Sequence, residues 1–180
     1  MEQFWVFGYG SLMWRPGFAH LGCEPASIFG YHRRLCVYSH VHRGTPEQPG
    51  LVLGLDRGGS CRGIAFRIGA DRWDDTLAYL RAREQVTSVY VEKRKSVRLL
   101  DSGRLVAAVT YVVDRQHGQY TGLLSDEQID FYVGHGRGMS GLCVDYVMNT
   151  VVHLRQMNIH DAALERVAAR LASHAAKSSS

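Results

Sequence analysis

Apolar and polar positions change their period along this chain, from strand-like in the first two thirds to helix-like in the last. Phe4-Trp5-Val6-Phe7 opens a run that reads as a buried strand over residues 4–9. Residues 29–39, carrying Leu35, Val37 and Tyr38, read as extended. Residues 42–50 hold Gly44, Pro46, Pro49 and Gly50 and read as a loop. Residues 51–53 and 61–68 read as two strands, with Gly58-Gly59 as the turn between them. Residues 88–100 and 104–113 read as long strands joined by a hairpin turn at Asp101-Ser102-Gly103.

Helical spacing comes in four places. Trp73, Leu77 and Leu80 share one face of a helix over residues 72–84, with Asp71 as N-cap and Asp74 placed for the helix dipole. Ser125-Asp126-Glu127-Gln128 is a capping-box start. Its helix carries Ile129 and Val133 and stops before Gly134 or Gly136. Val144, Val147, Met148, Val151, Leu154 and Met157 give a strongly periodic helix. Asp161 caps the last, which turns Leu164, Val167, Ala168 and Leu171 inward. Strands early and helices late predict an α+β fold, not an alternating βαβ one.

Bulk composition narrows the function classes. With 180 residues, 46% of them hydrophobic, the chain reads as a single domain over 1–176 with a short flexible tail at 177–180. The net charge of +4 is mild, and the basic residues cluster only at Arg33-Arg34 and Lys93-Arg94-Lys95. No aromatic-basic module accompanies them, which argues against nucleic-acid binding. A mild positive field suits a small acidic substrate. No apolar run approaches the roughly 20 residues needed to span a bilayer, and Glu2 stands where a leader would be basic. Cys23, Cys36, Cys61 and Cys143 form no CxxC pair, which points to reduced thiols and a cytoplasmic setting. His40 and His42 share a strand face, but no carboxylate or cysteine at ligand spacing completes a metal set. Neither a metal nor a cofactor is expected. Oligomeric state is not legible.

Two features carry chemistry. Gly8-Tyr9-Gly10-Ser11-Leu12 ends the first strand in a tight loop, where glycine permits positive φ and lets a ligand reach the main chain. Successive amides there can hold a carboxylate or phosphate; a strand-ending turn without a ligand is the equal alternative. A dinucleotide site is excluded because Met13 occupies the third glycine position of GxGxxG, and Ser11 sits in no nucleophile elbow. The second feature is Glu84, a carboxylate at a helix C-terminus, where the dipole disfavours it. On the residues alone, a solvated glutamate beside Arg81 and Arg83 outweighs a functional one.

Phe7-Gly8-Tyr9-Gly10-Ser11-Leu12, followed by Trp14 and Pro16, resembles the opening of the ChaC-like family, the glutathione-specific γ-glutamylcyclotransferases. Arg43-Gly44-Thr45-Pro46 with Pro49-Gly50, Gly63-Ile64-Ala65-Phe66-Arg67, Leu80-Arg81-Ala82-Arg83-Glu84 and Ser140-Gly141 with Asp145-Tyr146 resemble later family motifs in the same order. The resemblance implies a small mixed β-barrel with flanking helices. It implies cleavage of glutathione to 5-oxoproline and Cys-Gly without a cofactor. Glu84 takes the place of the family's general acid/base, and a pKa raised by partial burial is expected of it. Val6, Phe7, Gly8, Tyr9, Gly10, Ser11 and Leu12 take the substrate loop, joined by Ser39, Arg43 and Tyr146. Two departures stand out: Val41 where relatives carry Asp, and Cys143 where many carry Asn. Rival readings are a cyclotransferase for another γ-glutamyl amine or peptide, and a non-catalytic regulatory module of a cation transporter.

Overall fold

The computed structural model describes residues 3–178. These form two compact units. The first runs up to Arg33 and resumes over Leu55–His117; the second comprises Arg34–Gly54 and the chain from Gly118 onward.

The first unit holds a closed barrel of strand order β1-β3-β2-β4-β5. Its strands are β1 (Phe4–Gly8), β2 (Gly22–Ser39), β3 (Gly50–Ile68), β4 (Tyr90–Leu99) and β5 (Leu105–Val113). The far ends of β2 and β3 belong to the second unit. β1 is antiparallel to β3, with Phe4 opposite Ile68, and parallel to β5, with Trp5 opposite Ala108. β4 and β5 form the predicted hairpin, Tyr90 opposite Val113, closed by Gly103 at positive φ. The sheet is therefore mixed, and with its helices the fold is the α+β barrel that the resemblance implies.

Helix α1 (Trp73–Glu84) packs in the first unit. Leu80 is fully buried with Val6, Leu12, Phe66, Ile68, Val109 and Tyr111, while Trp73 and Leu77 pack against the same cluster. These are the three positions that the sequence put on one face. Burying a side chain the size of leucine contributes about 2 kcal/mol, so this cluster anchors the end of the helix that carries Glu84. Asp71 does not cap it: residues 70–72 form a 3-10 turn, and Arg72 takes the cap position without a side-chain bond.

The second unit contains α2 (Asp126–His135), a short hairpin of β6 (Arg137–Gly138) and β7 (Gly141–Leu142), α3 (Cys143–Gln156) and α4 (Ala162–Ser178). The capping box at Ser125 and Gln128 forms as expected, and Gly136 ends the helix. Asp161 accepts a hydrogen bond from the Leu164 amide at 3.1 Å. Arg170 of α4 grips the Asp130 carboxylate of α2 through Nε at 2.9 and 3.1 Å. α4 continues to Ser178, and the tail residues Ser179 and Ser180 lie outside the described residues.

Two strand boundaries differ from the sequence reading. β2 begins at Gly22, not near residue 29, and β3 runs unbroken through Gly58-Gly59. Both glycines take positive φ, but β2 continues alongside, with His32 Nδ1 2.9 Å from the Gly58 carbonyl oxygen. The backbone bends there without reversing.

Candidate active site

In the first unit, β1 ends at Gly8 and the chain enters a 3-10 turn over Ser11–Met13. Met13 N–H donates to the Gly10 carbonyl at 2.9 Å, and Arg15 N–H to that of Ser11 at 2.8 Å. The leading amides of the turn, those of Ser11 and Leu12, have no partner within it. Neither Gly8 nor Gly10 takes positive φ. Close packing explains Gly8 instead: a Cβ there would stand 3.0 Å from the Leu12 Cβ. Val6, Phe7, Gly8, Tyr9 and Leu12 are buried, so the partly exposed positions of this segment are Gly10 and Ser11.

Two arginines hold the turn. Buried Arg33 donates through Nε to the Tyr9 carbonyl and through Nη2 to that of Arg62, both at 2.6 Å. Arg83 donates through Nη2 to Ser11 Oγ at 2.8 Å, and through Nη1 to Tyr79 Oη at 3.0 Å and the Arg15 carbonyl at 2.7 Å. Its Nε stands 3.5 Å from Glu84 Oε1. The guanidinium therefore touches both the glycine loop and the carboxylate.

Glu84 closes α1 with its side chain 18% exposed. Burial raises its pKa above the usual carboxylate value, and the charge of Arg83 opposes the rise in part. The direction is the one a general base requires. The buried Tyr111 feels the Glu84 charge, and its hydroxyl donates to Glu92 Oε2 at 3.0 Å. Arg81 holds the same carboxylate with two bonds at 2.8 and 2.9 Å. Burial and the Glu92 charge push the Tyr111 phenol above its ordinary value, with a smaller contribution from Glu84.

The second unit gathers Ser39, Arg43 and Tyr146. Ser39 is buried and accepts from the Arg43 amide at 2.9 Å. The Arg43 guanidinium lies 5.5 Å over the Tyr146 ring and donates to the Leu142 carbonyl at 3.1 Å. Among the described residues no carboxylate pairs with it. Tyr146 Oη accepts from the Leu53 amide at 3.1 Å. Glycines let the backbone close around Arg43: a Cβ on Gly136 would lie 2.6 Å from its carbonyl oxygen. Cys143 is buried, and its thiol exchanges hydrogen bonds with the Leu51 backbone at 3.1 and 3.3 Å. Burial pushes that thiol up to about 11. Val41 is exposed beside Met139, whose amide donates to the Val41 carbonyl at 2.9 Å.

Sequence reasoning passed over Arg33 and Arg83. Arg33 had a signal: it falls in the same alternate register as Leu35 and Val37, and all three are buried. A charge in that register asks for a task. Arg83 had none, since an arginine before a helix-ending glutamate is ordinary.

Comparison with known proteins bears on the family and the fold. A family model described as ChaC-like protein matches residues 4–174. The glutathione-specific γ-glutamylcyclotransferase of Escherichia coli is 31% identical over 89% of this chain and 69% of its own length. The glutathione-specific γ-glutamylcyclotransferase 1 of Homo sapiens is 33% identical over 82% of this chain and 68% of its own. In fold, the crystal structure of the glutathione-specific enzyme from yeast superposes with a TM-score of 0.85, at 22% identity, covering 96% of this chain and 97% of that one. With a family model spanning all but the ends and relatives above 30% identity across most of their length, the chain belongs to the ChaC-like family.

Proposed function

We propose that this protein is a γ-glutamylcyclotransferase that cleaves glutathione to 5-oxoproline and Cys-Gly, with Glu84 as the general acid/base. The observation that carries the reading is one partly buried carboxylate of raised pKa, linked through Arg83 to the Ser11 turn at the end of β1. The names of the relatives supply the substrate.

The chemistry asks little more of the protein. The α-ammonium of the γ-glutamyl unit gives a proton to Glu84, and the freed amine attacks its own γ-carbonyl carbon. A C–N bond forms, closing the five-membered lactam, and the γ-amide C–N bond breaks. The two protons lost by the attacking nitrogen end on the leaving amine, so no water is consumed. Glu84 carries them in turn. Because attack is intramolecular, positioning supplies much of the acceleration. The main chain from Val6 to Leu12 and the Ser11 hydroxyl bind the α-carboxylate and steady the carbonyl oxygen. Within the second unit, the Arg43 guanidinium is stacked on Tyr146 and the Arg43 amide is held by Ser39; the guanidinium is suited to a carboxylate. A cytoplasmic setting fits four free cysteines.

The test is product analysis with purified protein. Glutathione and γ-Glu-Ala are offered separately and 5-oxoproline is assayed. Release from glutathione is the expected result. Release from γ-Glu-Ala alone would keep the chemistry and replace the substrate. Release from neither, by folded protein, would overturn the reading.

A further inference from the structure

Arg83 makes more contacts in this region than an electrostatic neighbour of Glu84 needs. Its Nη1 is held by the Arg15 and Pro16 carbonyls at 2.7 and 3.2 Å and by Tyr79 Oη at 3.0 Å. Those bonds fix the plane of the guanidinium independently of Glu84. Nη2 then meets Ser11 Oγ, and Nε faces Glu84 Oε1. The side chain is 22% exposed, so this pairing is screened far less than one on the open surface. The planar fork makes all of this possible, and a lysine could not reproduce it.

We propose that Arg83 is a positioning residue that fixes the Ser11 turn with one edge of its guanidinium and serves as the electrostatic partner of Glu84 with the other. Its kinetic consequence rests on the cyclotransferase reading above. Among the described residues, the charge that acts on Glu84 is Arg83 of α1, and Tyr111 of β5 in turn feels the Glu84 charge. Glu92 of β4 accepts from the Tyr111 hydroxyl and from Arg81. Tyr111 stays neutral across the working range, which leaves Arg83 as the charge that tempers the effect of burial.

The experiment uses Arg83→Gln, Arg83→Lys, Ser11→Ala and the Arg83→Lys/Ser11→Ala double variant. The Glu84 carboxyl is titrated by carbon NMR, and 5-oxoproline release from glutathione is profiled against pH. In Arg83→Gln the Glu84 midpoint is expected to rise by about one pH unit, and the acidic limb of kcat/KM to rise with it. Arg83→Lys keeps the charge and leaves the limb in place, but loses the fork and raises KM. Ser11→Ala raises KM alone and adds nothing in the Arg83→Lys background, because the two side chains act as one contact. An unchanged midpoint in Arg83→Gln, or additive losses in the double variant, would overturn the proposal. Should Arg83→Gln not fold, the lysine and serine variants still decide it. Failure of the wild type to release 5-oxoproline would sink the cyclotransferase reading instead, and the NMR midpoints would still judge Arg83.

Discussion

Glu84 stands in an environment that works against its charge and for its chemistry. The helix end that carries it is disfavoured for an anion, and burial lifts its pKa. The folded protein therefore holds this proton to higher pH than the unfolded chain does. Stability falls as pH rises through the window between the two values, and stays lowered above it. Glu84→Gln removes that loss. Its melting temperature is expected to exceed that of the wild type at about pH 7.5 and to converge with it below about pH 4. An equal or lower Tm at neutral pH would count against a strained carboxylate. The sequence supplied Glu84 only through its resemblance, because a glutamate after two arginines looks solvated until its surroundings are seen. Arg83 was invisible for the same reason, and Ser39, Arg43 and Tyr146 could be named but not arranged.

Between elements, the end of α1 is tied to β4 by the two bonds from Arg81 to Glu92, and β5 joins the same carboxylate through Tyr111. The Arg81 hydrogen bond leads in lowering the Glu92 pKa, with desolvation opposing. The stability it brings is present above the ordinary carboxylate value and lost as pH falls through the lowered one. Arg81 is half exposed, so solvent screening limits the effect: Glu92→Gln is expected to cost about 0.5–1 kcal/mol near neutral pH. Urea unfolding should show a lower midpoint at unchanged slope. Ser125→Ala should cost about 1 kcal/mol by removing the α2 cap, and its kcat/KM should match the wild type; a large kinetic loss would mean that α2 does more than support its unit. Periodicity found all four helices, since each has a face to bury. It missed the 3-10 turn ahead of α1 and the β6–β7 hairpin, which are short and carry no pattern. It also split β3, because two glycines look the same in a bend as in a turn.

At the scale of the whole molecule, hydrophobic alternation tells which face of a strand is buried and not which strand lies beside it. The parallel pairing of β1 with β5 closes the barrel across about a hundred residues, and nothing local in the sequence announces it. The order of the motifs did, by resemblance. The net charge of +4 bears on substrate capture: kcat/KM for anionic glutathione should fall modestly as ionic strength rises, while kcat holds. A kcat that falls in parallel would place the salt effect on the chemistry instead. Everything proposed for this protein turns on one carboxylate. Glu84→Gln is assayed for 5-oxoproline beside the wild type, with glutathione binding followed by calorimetry. Turnover should drop by about 10²–10⁴ while binding stays within a few-fold of the wild type; a folded Glu84→Gln variant that releases 5-oxoproline at the wild-type rate would contradict the mechanism outright.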